Sequence, residues 1–585
     1  MFTDSVLESL AQCIDSHYSL RHDPKLKPLT YGTAGFRTIG ELLPPVAARV
    51  VTISILRALF CGAQQTPEGQ NATCCVGFMI TASHNRAIDN GFKIIDTDGG
   101  MLAASWEQWC TDAANAATGA ELVSVIKKCT ETLQIRSVPE FKSPRGCVLL
   151  GRDTRESGEA IEAAITCILS TVLQVPFTSF GVLTTPQLHF LVAKANESGA
   201  AAAQVQLDAY HEQILSSFQD LLTYARKENG VCSLAPRRVV VDGANGVGAL
   251  GMQRLMSYSR SREEGDILSE VFSFEVVNDS TENPAILNEN CGADYAKQHA
   301  QPSEKMRKWL HSNDAASDSS TTHFYCLDGD ADRIVAFLCS HRSNTDWILL
   351  DGDRISILYA MLLHKWIGEE GLKELDVGVV QTAYANGAST EFIKSNLHMP
   401  VYIAATGVKN LHPVAHSLDI GVYFEANGHG TILFSDKLVK GDSGVRSQKL
   451  ASLIIDLRGL LSQVCGDAIG DMLMCEVALQ VLDMSFEDWA ALYIDRPCKQ
   501  VKVTVEHPKR ITNTQDEQRA LSPAGMQEEI DAAVSVILSE CKAARSFVRP
   551  SGTEPVVRVY AEASTQAACD SLAATVCSIV EKYCS

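Results

Sequence analysis

Several features are missing from this 585-residue chain, and each absence removes a class of protein. No C-x-x-C occurs among the 19 cysteines, an odd number, and the one adjacent pair is Cys74-Cys75. Neither a zinc site nor a disulfide framework follows from that spacing. Cys147, Cys167 and Cys339 lie inside apolar runs and read as small hydrophobes, which suits a reducing compartment. No uninterrupted apolar run approaches the ~18 residues of a membrane helix. The first residues, Met1-Phe2-Thr3-Asp4-Ser5, are neither basic nor apolar enough for a signal or transit peptide. The last, Lys582-Tyr583-Cys584-Ser585, are not a peroxisomal signal. Positive charge is scarce too. Fifty basic against 70 acidic side chains leave −20, so nucleic acid and anionic membranes should be repelled. A cytoplasmic protein acting on small molecules is expected, with any basic residues for an anionic substrate concentrated locally.

Hydrophobic content of 46% with 21% charge is ordinary for a globular enzyme. At about 150 residues per domain the length suggests roughly four domains. Apolar strands alternate with helical stretches, which indicates α/β layers. The predicted elements include a helix over 43–60 and a partly amphipathic helical stretch over 103–133. A strand over 147–150 is followed by G-R-D-T-R-E-S-G and a helix from Glu159 that Ser157 should cap. Further on come a strand over 237–242 with the turn G-A-N-G-V-G, strands over 377–382 and 401–405, and a helical stretch over 451–482. The turn is not G-x-G-x-x-G and no acidic ribose ligand follows, so a dinucleotide site is rejected. Two polar segments, 257–270 and 312–322, read as surface insertions. Asp351 should cap the helix that follows it.

Four loops carry chemistry. The first is T-A-S-H-N-R, after the buried run Cys74 to Ile80; it places Ser83 in a reachable loop at a strand end, which suits a nucleophile or phosphate carrier as well as a simple turn. In the second, F-Y-C-L-D-G-D-A-D-R-I-V, Asp328, Asp330 and Asp332 alternate on what should be an extended segment, which would place them on one side. Three such charges repel unless a cation or a set of donors lies among them, and hard oxygen ligands suit Mg²⁺ or Ca²⁺. An EF-hand fails, because Arg333 and Cys339 stand where its glycine and glutamate belong. The third, Y-F-E-A-N-G-H-G, offers Glu425 and Asn427, an acceptor and an amide suited to vicinal sugar hydroxyls. The fourth, R-P-S-G-T-E-P-V-V-R-V-Y, offers Ser551, Gly552 and Thr553 as donors around an anion, with Arg549 and Arg558 closing on it. Alternation sets Arg558 and Tyr560 opposite Val557 and Val559.

Together these loops supply a phosphate carrier, a metal site, a sugar grip and a distal phosphate grip. With Y-G-T-A-G-F-R and G-D-A-I-G-D-M-L, they resemble the α-D-phosphohexomutase superfamily over nearly the whole chain, and its phosphoacetylglucosamine mutase branch most closely. The E-A-N-G-H-G loop points to that branch, as does the order in which Gly151 to Ser157 follows the serine loop. The resemblance implies an α/β, four-domain phosphohexomutase architecture: three mixed-sheet α/β domains plus a smaller C-terminal α+β domain around a central cleft. Boundaries are expected at 1–235, 236–345, 346–463 and 464–585.

By the same resemblance Ser83 is a phosphoserine, and Mg²⁺ is held by Asp328, Asp330, Asp332 and the serine phosphate. N-acetylglucosamine 6-phosphate and N-acetylglucosamine 1-phosphate interconvert through a sugar 1,6-bisphosphate, which also serves as activator, upstream of UDP-N-acetylglucosamine. Glu425, Ala426 and Asn427 hold sugar hydroxyls; Arg549, Pro550, Ser551, Gly552, Thr553 and Arg558 hold the phosphate that is not reacting. Lys93, Arg37 and His429 are unranked candidates for charge stabilisation or proton transfer. A broader phosphoglucomutase/phosphomannomutase and a phosphoserine-dependent sugar phosphatase are the alternative readings. One departure stands out: the family loop often reads T-A-S-H-N-P, and Arg86 replaces the proline here.

Overall fold

The computed structural model describes residues 2–20, 28–65, 74–134, 146–198, 205–229, 236–312, 322–339, 346–439, 448–551 and 555–585. The chain forms two compact units, Met1–Leu349 with Asp456–Met474, and Leu350–Ile455 with Cys475–Ser585.

The first unit contains two five-stranded mixed sheets. Strands β1 (Phe36–Ile39), β2 (Cys74–Ile80), β3 (Asp89–Ile95), β4 (Gly146–Arg152) and β5 (Phe177–Val182) lie in the order β1-β3-β2-β4-β5. The pairings β2–β4 and β4–β5 are parallel, while β3 runs antiparallel to both its neighbours. β2 is apolar throughout because both sheet faces are covered. Val76, Phe78, Ile80, Val148 and Leu150 pack towards the helix Leu43–Gln65, whereas Cys75, Met79, Cys147 and Leu149 meet Leu188, Leu191 and Val192 of the helix Thr185–Ser198. The helix near Gly40–Gly62 is long and apolar enough, by length and composition, to cross a membrane. Its Val46, Val50, Ile53 and Leu56 are instead buried in this core. Cys75 and Cys147 stand directly opposite each other on parallel strands and form a disulfide. Cys147 is therefore not the unpaired hydrophobe its apolar run suggests.

The second sheet is built from β6 (Arg237–Asp242), β7 (Phe272–Val277), β8 (Thr322–Leu327), β9 (Ile334–Cys339) and β10 (Trp347–Leu350), ordered β10-β9-β8-β6-β7. β6 pairs in parallel with β7 and β8, and β8–β9 is an antiparallel hairpin.

In the second unit β11 (Val377–Thr382), β12 (Val401–Ala404), β13 (Ile420–Phe424) and β14 (Gly430–Phe434) make a four-stranded sheet ordered β12-β11-β13-β14. Near the C-terminus β15 (Cys498–Thr504), β16 (Thr512–Asn513), β17 (Ala520–Ser522), β18 (Ala544–Pro550) and β19 (Val556–Ala563) follow. There β15-β19-β18 form a three-stranded antiparallel sheet. Helices Met526–Leu538 and Gln566–Cys584 cover one of its faces through Val548, Val557 and Val559. Tyr560, on the other face, is buried with Phe547 and Ala383.

Several expectations from the sequence need correction. The stretch 103–133 is two helices, Ala104–Asn115 and Gly119–Thr132. Thr118 caps the second by accepting from the Glu121 N–H, and a Cβ at Gly119 would meet the Ala11 backbone. The stretch 451–482 is likewise split into Gln448–Leu460 and Ala468–Leu482, where the Asp467 carboxylate accepts the Ile469 and Gly470 N–H groups and starts the second helix. Ser157 does precede the helix Gly158–Cys167, but its hydroxyl makes no cap and accepts from Asn90 instead. The segment 257–270, expected as a surface insertion, carries regular structure: it holds the end of helix Val247–Ser261 and most of Ile267–Val271, with many exposed residues. Of 312–322, residues 313–321 lie outside the described residues. Asp351 caps its helix as expected, accepting from the Asp353 and Arg354 N–H groups.

Candidate active site

In the first unit, Ser83 follows β2 and is only 1% exposed. Its φ is +50°, a left-handed conformation that non-glycine residues adopt rarely. The Ser83 N–H donates to Thr81 Oγ1 (2.9 Å), and the hydroxyl donates to Asp328 Oδ2 (2.7 Å). His84 Nδ1 is 3.4 Å from the same hydroxyl.

The three aspartates do not lie on an extended strand. They occupy the turn between β8 and β9, where Ala331 has φ +61°. The turn's curvature, not strand alternation, gathers them. Asp328 Oδ1 accepts the Asp332 and Arg333 N–H groups, 3.0 and 3.2 Å, which closes the turn on itself. One carboxylate oxygen from each aspartate lies within 4.8 Å of the others, and all three residues are buried. Burial, with Asp332 and then Asp330 adding repulsion, raises the Asp328 carboxyl well above its ordinary range. Asp330 Oδ1 is buried without a hydrogen bond. A buried all-oxygen cluster with an unsatisfied oxygen is what a hard divalent cation completes, so these residues fit Mg²⁺.

Cations frame the cluster. Lys93 Nζ, on β3, is 3.4 Å from Asp332 Oδ2 and 3.8 Å from Asp330 Oδ2. Burial alone would lower the lysine's pKa, but the attraction of Asp332 and Asp330 outweighs it and raises the value above normal. Arg333 Nε lies 3.6 Å from Asp332 Oδ1 and 3.9 Å from Asp328 Oδ2. Arg37 donates to Asn85 Oδ1 at 3.2 Å, and its pKa is lowered by burial and then by Arg333. Gly35, at φ +80°, lets the preceding turn lie against β3, since a Cβ there would be 2.9 Å from the Lys93 Cα. His84 is pushed down to about 2 by burial, Arg333 and Arg37, so it is neutral at physiological pH. Thr185, which the sequence reading did not single out, donates to Asp330 Oδ2 at 2.7 Å. Its T-T-P setting at a helix start gave no sign of a partner 145 residues away.

In the second unit, the E-A-N-G-H-G loop joins β13 to β14. Gly428, at φ +87°, closes it, and its N–H donates to the Glu425 carbonyl. Glu425 Oε1 accepts the Gly407 N–H at 2.9 Å, while Asn427 Oδ1 accepts the His429 N–H at 3.1 Å. Glu425, Ala426 and Asn427 are half-buried and His429 is buried.

On the C-terminal sheet, Arg549 and Arg558 stand directly opposite each other in the β18–β19 register, and Lys502 opposes Arg558 from β15. Like charges in facing positions are destabilising, so this row invites an anion. Arg558 Nε is buried without a hydrogen bond. Glu517, also missed in the sequence, accepts from Arg549 Nε (2.7 Å) and from the Thr406 N–H and hydroxyl (3.0 and 2.6 Å). It thereby pairs with Arg549. Pro550 ends β18, and the Ser551 N–H donates to Val556 O. Gly552 and Thr553 lie outside the described residues.

A buried serine bonded into a carboxylate cluster that fits a divalent cation, together with a row of facing cations on another α/β unit, is the set of parts a phosphohexomutase uses. Family models agree with that class. Residues 37–120 and 132–214 match the Phosphoglucomutase/phosphomannomutase alpha/beta/alpha domain I, and 501–579 match the Phosphoglucomutase/phosphomannomutase C-terminal domain. Residues 199–335 and 351–484 match Phosphoacetylglucosamine mutase AMG1 domains II and III. The chain is 38% identical over 576 residues to the phosphoacetylglucosamine mutase of Arabidopsis thaliana, covering 96% of each protein. Aspergillus fumigatus N-acetylphosphoglucosamine mutase, solved with GlcNAc-6P and magnesium, superposes with TM-score 0.82 at 33% identity, covering 100% of this chain and 99% of that one. A serine-to-alanine form of that enzyme, solved with glucose 1,6-bisphosphate, gives TM-score 0.81 at 33% identity, with 99% of each chain covered. The chain belongs to the phosphoacetylglucosamine mutase family.

Proposed function

We propose that this enzyme interconverts N-acetylglucosamine 6-phosphate and N-acetylglucosamine 1-phosphate through phosphorylated Ser83, in the formation of UDP-N-acetylglucosamine. The observation that carries the reading is the Ser83 hydroxyl donating directly into the buried aspartate cluster at 2.7 Å. The related Aspergillus enzyme's complexes with GlcNAc-6P, magnesium and glucose 1,6-bisphosphate support the substrate, the metal and the bisphosphate activator.

Asp328, Asp330, Asp332 and the serine phosphate would hold Mg²⁺. When bound, that ion neutralises charge on the transferring phosphoryl group. The chain's own residues do the rest. Phosphoserine 83 gives its phosphoryl group to the free sugar hydroxyl, whose proton departs, leaving the serine hydroxyl and a 1,6-bisphosphate. The sugar reorients and its other phosphate returns to Ser83. Lys93 stays protonated, so its role is to offset charge at the serine rather than to act as a base. Arg37 adds a second positive charge there, and neutral His84 organises the loop. Glu425, Ala426 and Asn427 grip sugar hydroxyls, with His429 as a candidate for proton transfer. Arg549, Pro550, Ser551, Gly552, Thr553 and Arg558 hold the phosphate that is not reacting, and Lys502 strengthens the field around it.

Phosphorus NMR of N-acetylglucosamine 6-phosphate incubated with enzyme, Mg²⁺ and a trace of bisphosphate tests this. The 1-phosphate should grow in without stoichiometric inorganic phosphate. Inorganic phosphate alone would mean a phosphatase, and equal turnover of glucose or mannose phosphates would mean a broader mutase.

A further inference from the structure

We propose that Asn288 is a positioning residue that, together with Arg155, clamps the backbone of the serine loop and stiffens it in the absence of a proline at position 86. The inference rests on Ser83 being the phosphoryl carrier.

The Ser83 carbonyl accepts two donors, Arg155 Nη2 and Asn288 Nδ2, each at 2.8 Å. Two residues on, the Asn85 carbonyl accepts the same two groups, at 3.0 and 2.9 Å. Each donor thus bridges both carbonyls, and the two come from separate segments further along the chain: Arg155 follows β4, and Asn288 lies between β7 and β8. Arg155 Nη1 also donates to the carbonyls of Arg86 (2.7 Å) and Asp89 (3.0 Å). The arginine is itself locked, with Nε on Asp153 Oδ2, which also accepts the Thr81 hydroxyl. Through Thr81 Oγ1 the Ser83 N–H is fixed as well. Both ends of the Ser83 residue unit are therefore tied, and its left-handed φ is held rather than merely visited.

Asn288 is built for this position. It too is left-handed, at φ +59°, and its N–H donates to the carbonyl of Ala244 in the G-A-N-G-V-G turn, itself at φ +56°. In the same turn Asn245 Nδ2 donates to the Ile286 carbonyl. The glycine turn, which lacks the dinucleotide fingerprint, thus serves as the mount for the asparagine. The middle glycine of D-G-D leaves the room required. A Cβ at Gly329 would lie 2.6 Å from the Ser83 carbonyl oxygen and 2.7 Å from Asn288 Nδ2. Serine, metal loop and clamp therefore meet in one small volume. A displacement of about 1 Å at a reacting group can cost about 10²-fold in rate.

The test uses the full chain with Mg²⁺, N-acetylglucosamine 6-phosphate and a trace of bisphosphate. Turnover by the unmodified enzyme is measured first; if there is none, the functional reading fails whatever Asn288 does. Given turnover, Asn288→Ala should lower kcat by about tenfold or more while KM stays within about twofold, because the substrate grips are untouched. Should that variant fail to fold, Asn288→Asp is nearly isosteric and replaces the donor with an oxygen facing two carbonyls; the same split is expected. Adding Arg86→Pro to the Asn288 variant should recover part of the lost kcat by stiffening the loop. An unchanged kcat, a KM that rises in step with the loss, or a kcat that proline does not recover at all would overturn the clamp.

Discussion

The serine–aspartate site of the first unit and the grips of the second are built to different specifications. Around Ser83 nearly every polar atom has a fixed partner: Thr81 below the amide, Arg155 and Asn288 on the carbonyl, Asp328 on the hydroxyl. Around Arg549 and Arg558 the strand register instead sets cations face to face, with Glu517 offsetting one of them. The first site is closed, with buried Asp330 Oδ1 and Arg37 Nε left without hydrogen bonds. The second carries excess positive charge and half-buried side chains. On the proposed roles, a centre that passes one phosphoryl group needs preorganisation, whereas a grip that accepts a sugar phosphate in either orientation needs charge more than fixed geometry.

That contrast can be broken from the recognition side first. Arg558→Ala removes a charge-assisted contact of about 1.5–3 kcal/mol, so KM should rise about 10–100-fold with kcat much less affected. Steady-state kinetics on both sugar phosphates decides it. A fall in kcat at unchanged KM would place Arg558 with the reaction centre and erase the distinction.

A smaller effect compares the two units as folded bodies. His211 in the first and His412 in the second are each pushed down to about 4, His211 mainly by burial and His412 by burial and then His416. Their folded pKa values lie below the ordinary ~6.5, so each contributes stability that is present above that value and lost as pH falls towards about 4. Tm should drop by a few degrees between pH 7 and 4.5. His211→Gln should flatten the part of that slope belonging to the first unit, and His412→Gln the part belonging to the second. An unaltered slope in both variants would assign the acid sensitivity elsewhere.

Much of the site was legible because its parts are short and chemically loud. Ser83 in T-A-S-H-N, the D-G-D-A-D-R aspartates, and Arg549 and Arg558 in one C-terminal run each announce themselves within a dozen residues. The fold class followed from alternating apolar and helical stretches for the same reason. What escaped depends on contacts between distant segments. Thr185 reaches Asp330 and Asn288 reaches Ser83 across 145 and 205 residues, and nothing local marks either side chain. Lys502 gains meaning only from the β15–β19 register. The aspartates were placed correctly but for the wrong reason, since i, i+2, i+4 spacing reads as a strand face and the chain instead turns at Ala331. Helix breaks at Thr118 and Asp467 hid inside apolar periodicity because each is set by a single cap. Cys75 and Cys147 form no recognisable sequence pair; parallel registration of β2 and β4 brings them together.

Ser83→Ala tests the central claim most directly. The variant should fold, with Tm lowered by at most a few degrees for the lost bond to Asp328, and still bind N-acetylglucosamine 6-phosphate by calorimetry, while conversion to the 1-phosphate falls to background. Full turnover by the alanine variant would contradict a phosphoserine mechanism outright.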